Sequence, residues 1–175
     1  MDLKLTGKTA LVTGSTAGIG FAIANALAQE GVSVVVNGRT GARVDEAVRT
    51  IEAGKPAGAV TGIAADLGSA AGVEALTAKA PQVDILVNNL GIFEPKRFAE
   101  ITDADWMRFF EVNVLSGVRL SRHYLPGMIG KNWGRILFIS SESGVNIPVE
   151  MVHYGVTKTA QIALALLQRL PRVQA

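Results

Sequence analysis

Lys8-Thr9-Ala10-Leu11-Val12-Thr13-Gly14-Ser15-Thr16-Ala17-Gly18-Ile19-Gly20 is an apolar run that breaks into a glycine-spaced turn. Residues 8–12 read as a short buried strand, and residues 21–30 as a helix that closes on Gly31 at its carboxyl cap. The glycines therefore stand on a strand-to-helix turn, where backbone amides and a helix amino terminus can cradle a pyrophosphate. A β-carbon there would hold the backbone away from the phosphates. Gly14, Ser15, Thr16, Gly18, Ile19 and Gly20 are the candidates for that contact. A glycine cluster alone is more often a plain turn; its place between strand and helix is what makes it a nucleotide signal.

Working outward, residues 32–36 form a second apolar strand, and the eighteenth residue after Gly20 is Gly38. An acidic residue near that spacing would take the adenosine ribose hydroxyls of NAD(H), but Asn37, Gly38, Arg39 and Thr40 include none. Arg39 offers a planar cation suited to a 2′-phosphate, which favours NADP(H) over NAD(H); the plain alternative is a solvated loop arginine. Residues 41–53 carry a helical stripe of Val44, Val48 and Ile51, and residues 59–64 a third strand that runs into Asp66 and Leu67. Asp66 either accepts from an adenine amino group or caps a helix over about 68–80, and the two roles are compatible. A fourth strand, 83–87, ends in Asn88-Asn89-Leu90-Gly91, whose asparagines suit either backbone and ribose bonding or simple turn formation.

Thr102-Asp103-Ala104-Asp105 opens a long helix with Trp106, Phe109, Phe110, Val114, Val118 and Leu120 as its apolar positions. Asn113 is out of place there, so it is either solvent-facing or recruited to a polar site. Pro126, Gly127 and Gly130 are expected to end this helix, and Gly134 precedes a fifth strand at 136–139. Strand and helix alternate without repeat or linker, which predicts an α/β fold with a parallel sheet in a single domain over 1–175.

The fifth strand delivers Ser140 and Ser141 to the carboxyl edge of that sheet, and the helix that follows carries Tyr154 and Lys158. Four residues apart, the phenol and the ammonium share one helix face, offset by about 6 Å along the axis. With Ser141 beside them they form a polar trio able to move a proton to or from a carbonyl or alcohol oxygen. A free phenol titrates near pH 10, so acting near pH 7 asks for roughly 4 kcal/mol of phenolate stabilisation. A close lysine and an oxidised nicotinamide are both cations able to supply it. In isolation, a tyrosine four residues before a lysine is usually a surface pair, and the upstream glycine turn is what raises its weight.

Hydrophobic residues make up 49% of the chain and charged residues 18%, with mean hydropathy +0.30, which excludes a disordered composition. Lys plus Arg number 17 against 15 Asp plus Glu, and this dispersed net charge of +2 gives no basic footprint for nucleic acid, although the pI is near 9.1. The chain has no cysteine, which fits a reducing cytoplasm and leaves no thiolate chemistry; its two histidines form no metal-ligand cluster. Met1-Asp2-Leu3-Lys4 leads into structure without a signal core, and no apolar run of about 18 residues predicts a membrane span.

Four motifs in order and spacing make the chain resemble the short-chain dehydrogenase/reductase family, of the type that includes 3-oxoacyl reductases. They are Thr13-Gly14-x-x-x-Gly18-x-Gly20, Asn88-Asn89-x-Gly91, Ser141 thirteen residues before Tyr154, and Tyr154-x-x-x-Lys158. The likeness runs from about Lys4 to about Ala163. It implies a three-layer, doubly wound Rossmann-type parallel sheet and NAD(P)(H)-dependent interconversion of a small-molecule carbonyl and a secondary alcohol. It also implies Tyr154 as general acid/base, Ser141 as the group orienting substrate, and Lys158 as the group that lowers the phenol pKa and holds the nicotinamide ribose. Asn113 would complete a tetrad by fixing a water near Lys158. Asp66, Leu67, Asn88 and Gly91 carry over as cofactor contacts, as do Tyr154 and Lys158, while Ser143 and His153 would only line the pocket.

Two departures stand out. Leu90 replaces the family's usual alanine beside the cofactor. Beyond Ala163 the likeness stops, Pro171 is expected to stop the helix, and the family's sixth strand, Pro-Gly loop, substrate-covering segment and seventh strand have no counterpart. The resemblance therefore points to a sheet lacking its usual last strands, a carboxyl-terminally truncated chain, and a fifth strand left as a bare apolar edge. Homo-oligomers through two long helices are implied as well. The alternative readings are a non-catalytic NADP-binding protein and an inactive remnant of such an enzyme.

Overall fold

The computed structural model describes residues 3–166; the expected stop at Pro171 lies outside them. Five parallel strands form one sheet: β1 (Thr9–Val12), β2 (Ser33–Gly38), β3 (Val60–Ala64), β4 (Ile85–Asn88) and β5 (Arg135–Phe138), in the order β3-β2-β1-β4-β5. Helices α1 (Gly18–Gln29), α2 (Gly41–Ala53) and α3 (Ala70–Lys79) connect the first four strands; α4 (Asp103–Phe110) and α5 (Ser116–Gly130) precede β5, and α6 (Val152–Ala165) follows it. This is the expected α/β doubly wound arrangement. The order reverses between β1 and β4, and that switch point at the strands' carboxyl ends is where such sheets bind ligands.

The strand alternation divides the core into two. Ala10, Val12, Val34, Val36, Ile85 and Val87 face Ala24 and Ala28 of α1 and Ala47 and Ile51 of α2. Leu11, Leu86 and Ile136 face Val73 and Leu76 of α3 and Leu120, Tyr124 and Met128 of α5. Successive residues along a strand project to opposite faces, so runs such as Ala10-Leu11-Val12 supply both layers at once. The outer side of β5 has no strand partner among the described residues, and Leu137 of β5 is 45% exposed. No helix of the described residues is long and apolar enough to cross a membrane.

The long helix runs through Pro126 and Gly127, both exposed, and ends at Gly130, the last of the three residues expected to end it. One local expectation is corrected: the helix after β3 is capped by Ser69, whose Oγ accepts from Gly72 N at 3.1 Å, while Asp66 Oδ1 accepts from Gly68 N within its own turn. α4 opens on a capping box between Thr102 and Asp105, within the stretch expected to start the helix.

Asp84 joins three elements: it accepts from Thr9 N at 3.0 Å, Thr9 Oγ1 at 3.1 Å and Lys131 Nζ at 3.2 Å. Burial would raise its pKa, but the Thr9 and Lys131 hydrogen bonds outweigh burial and hold it below the ordinary carboxylate value. A depressed folded pKa means the stabilisation is present above the unfolded value of 3.8 and is lost as pH falls through the folded one. Asp84→Asn is therefore expected to cost roughly 1.5–3 kcal/mol near neutral pH, about 4–8 °C in Tm, and to flatten the loss of stability below about pH 4. Thermal unfolding of both chains between pH 3 and pH 7 checks it, and parallel pH curves would refute it.

Candidate active site

The glycine turn is riveted to β4 rather than left free. Thr13 Oγ1 accepts from Asn89 N and Leu90 N, each at 2.9 Å, and Asn89 Nδ2 donates to Thr13 O at 2.9 Å and Gly14 O at 3.0 Å. Asn37, 2% exposed, accepts from Gly14 N through Oδ1 at 3.3 Å and donates to Ile63 O and Ala65 O, tying the turn to β2 and β3. Gly14 and Gly18 have φ of +59° and +57°, in the region that favours glycine. A β-carbon on Gly18 would meet nothing within 4 Å, so its backbone borders open space. α1 starts there with no side-chain cap and no acidic residue in its first turn, which leaves its amides and dipole to an anion. These features fit a dinucleotide's phosphates. Ser15 is otherwise employed: Oγ donates to Val12 O at 2.7 Å and accepts from Asn37 N at 2.9 Å, while its own N–H donates to Asn37 O. Thr16 is half-buried, Ile19 is 65% exposed, and Arg39 is exposed with no ion pair among the described residues.

Further along the edge, Asp66 is exposed beside the turn, and Leu67 is 1% exposed with its side chain in the core. Asn88 turns its amide toward α5, where Nδ2 donates to Ser121 Oγ at 3.5 Å and Oδ1 is buried without a partner. Leu90 packs partly against the core layer of Leu11 and Leu86, and its Cδ1 also borders the glycine turn, 3.5 Å from where a β-carbon on Gly14 would sit. Gly91 lies at the centre: a β-carbon there would sit 3.5 Å from Asn113 Oδ1 and 3.6 Å from Lys158 Nζ.

Asn113 is buried, as the polar-site reading required, and sits in a π turn, Glu111–Leu115, between α4 and α5. Its amide clamps the loop after β4, Oδ1 accepting from Ile92 N at 2.7 Å and Nδ2 donating to Ile92 O at 2.9 Å. Nδ2 also donates to Thr157 Oγ1 on α6 at 3.0 Å.

On α6, Lys158 is 5% exposed; Nζ donates to Ile139 O at 2.8 Å and to Gln161 Oε1 at 3.0 Å. Nζ lies 5.6 Å from the Tyr154 ring centroid, so the two side chains do converge. Burial lowers the Lys158 pKa from the usual lysine range, and it has no carboxylate partner among the described residues. Tyr154 is half-buried, with Phe93 edge-on at 6.2 Å. Ser141 Oγ accepts from Ser143 N at 3.2 Å, in a turn that packs on α6 through Thr159 Oγ1, which donates to Gly144 O at 2.8 Å. Ser140 Oγ donates to Lys158 O at 3.0 Å, fastening the end of β5 to the helix. His153 points the other way: it is fully buried with its ring 4.0 Å from that of Phe109, both nitrogens lack partners, and burial lowers its pKa.

Sequence reasoning passed over Thr13, Asn37 and Gln161 as site residues. The one signal for Gln161 was a lone polar residue, three after Lys158, within Ala160-Gln161-Ile162-Ala163-Leu164.

The short chain dehydrogenase family model matches residues 8–170. An uncharacterized oxidoreductase, YvaG of Bacillus subtilis, is 50% identical over 165 residues, covering 94% of this chain and 62% of the relative. The 3-oxoacyl-[acyl-carrier-protein] reductase FabG of Aquifex aeolicus is 37% identical over 166 residues, covering 93% of this chain and 66% of the relative. The crystal structure of L-sorbose reductase from Gluconobacter frateurii, complexed with NADPH and L-sorbose, superposes with a TM-score of 0.90 at 34% identity, covering 96% of this chain and 65% of that one. The chain thus spans about two thirds or less of the length of these relatives. Most of the chain falls within the matched range, the glycine turn and the Tyr154-Lys158 helix included, and the protein belongs to the short chain dehydrogenase family.

Proposed function

We propose that the chain is an NADP(H)-dependent oxidoreductase that interconverts a small-molecule carbonyl and a secondary alcohol, with Tyr154 as general acid/base. The observation that carries this is a buried ammonium, Lys158 Nζ, beside Tyr154 and Gly91 at the carboxyl edge of the sheet, in line with an uncapped glycine turn. NADP(H), when bound, supplies or accepts the hydride. Gly14, Thr16, Gly18, Ile19 and Gly20 would hold its phosphates through backbone and helix terminus, and Asp66 with the backbone of Leu67 its adenine. Ser15, Asn37 and Asn89 keep that turn in shape; Asn88 would contribute through the strand end rather than its amide.

Of the three donors on Lys158 Nζ, two are taken by Ile139 and Gln161. The third would serve a ribose hydroxyl. In the reductive direction Tyr154 Oη gives its proton to the carbonyl oxygen while Ser141 Oγ donates a hydrogen bond to the same atom, stabilising charge as it develops. Asn113 keeps Lys158 and the Ile92 loop in register. The test is an NADPH fluorescence titration followed by NADPH oxidation with a panel of ketones and 3-oxoacyl esters. Binding with turnover is expected; binding without turnover would make this an NADP-binding protein, and neither would end the proposal.

The preference for NADP(H) rests on Arg39 and on the lack of an acid in Asn37-Gly38-Arg39-Thr40, and the NADPH named with L-sorbose reductase supports it. Arg39→Asp is expected to weaken NADPH binding about tenfold or more while leaving NADH binding within about twofold. Equal loss of both in parallel titrations would refute the assignment.

A further inference from the structure

The amide of Gln161 spans the two halves of the site. It is 1% exposed, accepts from Lys158 Nζ through Oε1 at 3.0 Å, and donates through Nε2 to the main-chain carbonyl of Asn113 at 2.6 Å. The π turn Glu111–Leu115 shifts the local hydrogen-bond register, and the Asn113 carbonyl is met there by this side chain. One rigid amide therefore fixes two things at once: its carbonyl end faces the ammonium because its nitrogen end is committed to Asn113. With Ile139 O, just after β5, as second acceptor, the ammonium has one N–H left, and a β-carbon on Gly91 would lie 3.6 Å from Nζ.

We infer that Gln161 is the positioning residue for Lys158, holding its ammonium charged and aimed at the crevice by linking it to the π turn. The inference rests on the proposed role of Lys158. Among the described residues no carboxylate shares the work: the groups that meet Nζ are Ile139 O just after β5, Gln161 Oε1 and the Tyr154 ring from α6, and Gly91 from the loop after β4, with Tyr154 the one titratable side chain among them. In a buried site a hydrogen bond to the charged form favours that form, so the Gln161 oxygen offsets part of the desolvation that disfavours the ammonium.

Two variants of matched length separate positioning from packing: Gln161→Met lacks both the strong acceptor and the donor, and Gln161→Glu keeps an oxygen on Nζ and adds charge. Both lose the donor to Asn113 O, so a loss of thermal stability is common to them, whereas the effect on the lysine differs in sign. The readout is the protonation midpoint of Lys158 in the full chain, followed by the NMR shift of labelled lysine Cε, with the signal assigned by its disappearance in Lys158→Met. Gln161→Met is expected to move the midpoint down, weakening proton binding by a factor of about ten, and Gln161→Glu to move it up. Midpoints unchanged in both variants would overturn the inference. If Gln161→Met does not fold, the rise in Gln161→Glu decides alone, and its absence counts against. Because the titration is read without turnover, failure of Tyr154 chemistry would show in the rate assay and leave these midpoints where they are.

Discussion

Tyr154→Phe is expected to remove nearly all NADP(H)-linked carbonyl reduction, a loss of about 10²–10⁴-fold, while NADPH affinity stays within about twofold. The substitution deletes one oxygen and keeps the ring that packs edge-on against Phe93 at 6.2 Å, so the wall of the crevice survives. Lys158 keeps both of its protein acceptors, Ile139 O and Gln161 Oε1, and with them its place in the crevice. Only the proton donor at the carbonyl is gone. Steady-state rates and fluorescence titrations of the two chains, measured side by side, separate chemistry from binding. A phenylalanine variant with wild-type turnover would mean that another group moves the proton.

Gly20→Ala should have the opposite signature, a collapse of cofactor binding by about 100-fold or more, because several charge-assisted contacts to phosphate depend on the shape of one turn. A β-carbon at Gly20 would lie 2.4 Å from Asn89 Nδ2, 2.6 Å from Gly14 O and 3.0 Å from Ser15 Cα. None of these can yield cheaply. The Asn89 amide is bonded to Thr13 O and Gly14 O, and Ser15 is bonded to Val12 and Asn37, so the clash propagates from α1 through β1 to β4. A variant that folds by circular dichroism yet binds NADPH as tightly as the parent would place the phosphates elsewhere.

The elements legible in the sequence were those written in one local code. The run Ala10-Leu11-Val12 before Gly14, and the stripe of Val44, Val48 and Ile51, which the structure turns to the core with Ala47 added, need only periodicity to be read. The convergence of Tyr154 and Lys158 also follows from helix geometry, and they do converge. Illegible were the choices that depend on which way a side chain turns once packed. Asn88 and Asn89 are adjacent and identical, yet one amide faces α5 and the other holds the glycine turn, Asn88 being the last residue of β4 and Asn89 the first beyond it. Ser15 carries a hydroxyl in the glycine turn but spends it on Val12 and Asn37. His153, next to Tyr154, is taken by Phe109 and Trp106 because neighbours on a helix lie about 100° apart.

Gln161 is the largest such omission, since its meaning depends on a π turn that no local rule foretold. That turn has a mechanical consequence of its own. A wider turn inserts roughly one residue into an otherwise continuous rod, and one residue is worth about 100° of rotation and 1.5 Å of rise. Phe109, before the insertion, stacks on α6, while Leu120, Tyr124 and Met128, after it, fill the layer under β1, β4 and β5. Deleting a residue from Glu111–Leu115 would wind the rod back into uniform pitch and put one of those two faces out of phase, so the widened turn works as the angular offset that lets a single rod serve both surfaces.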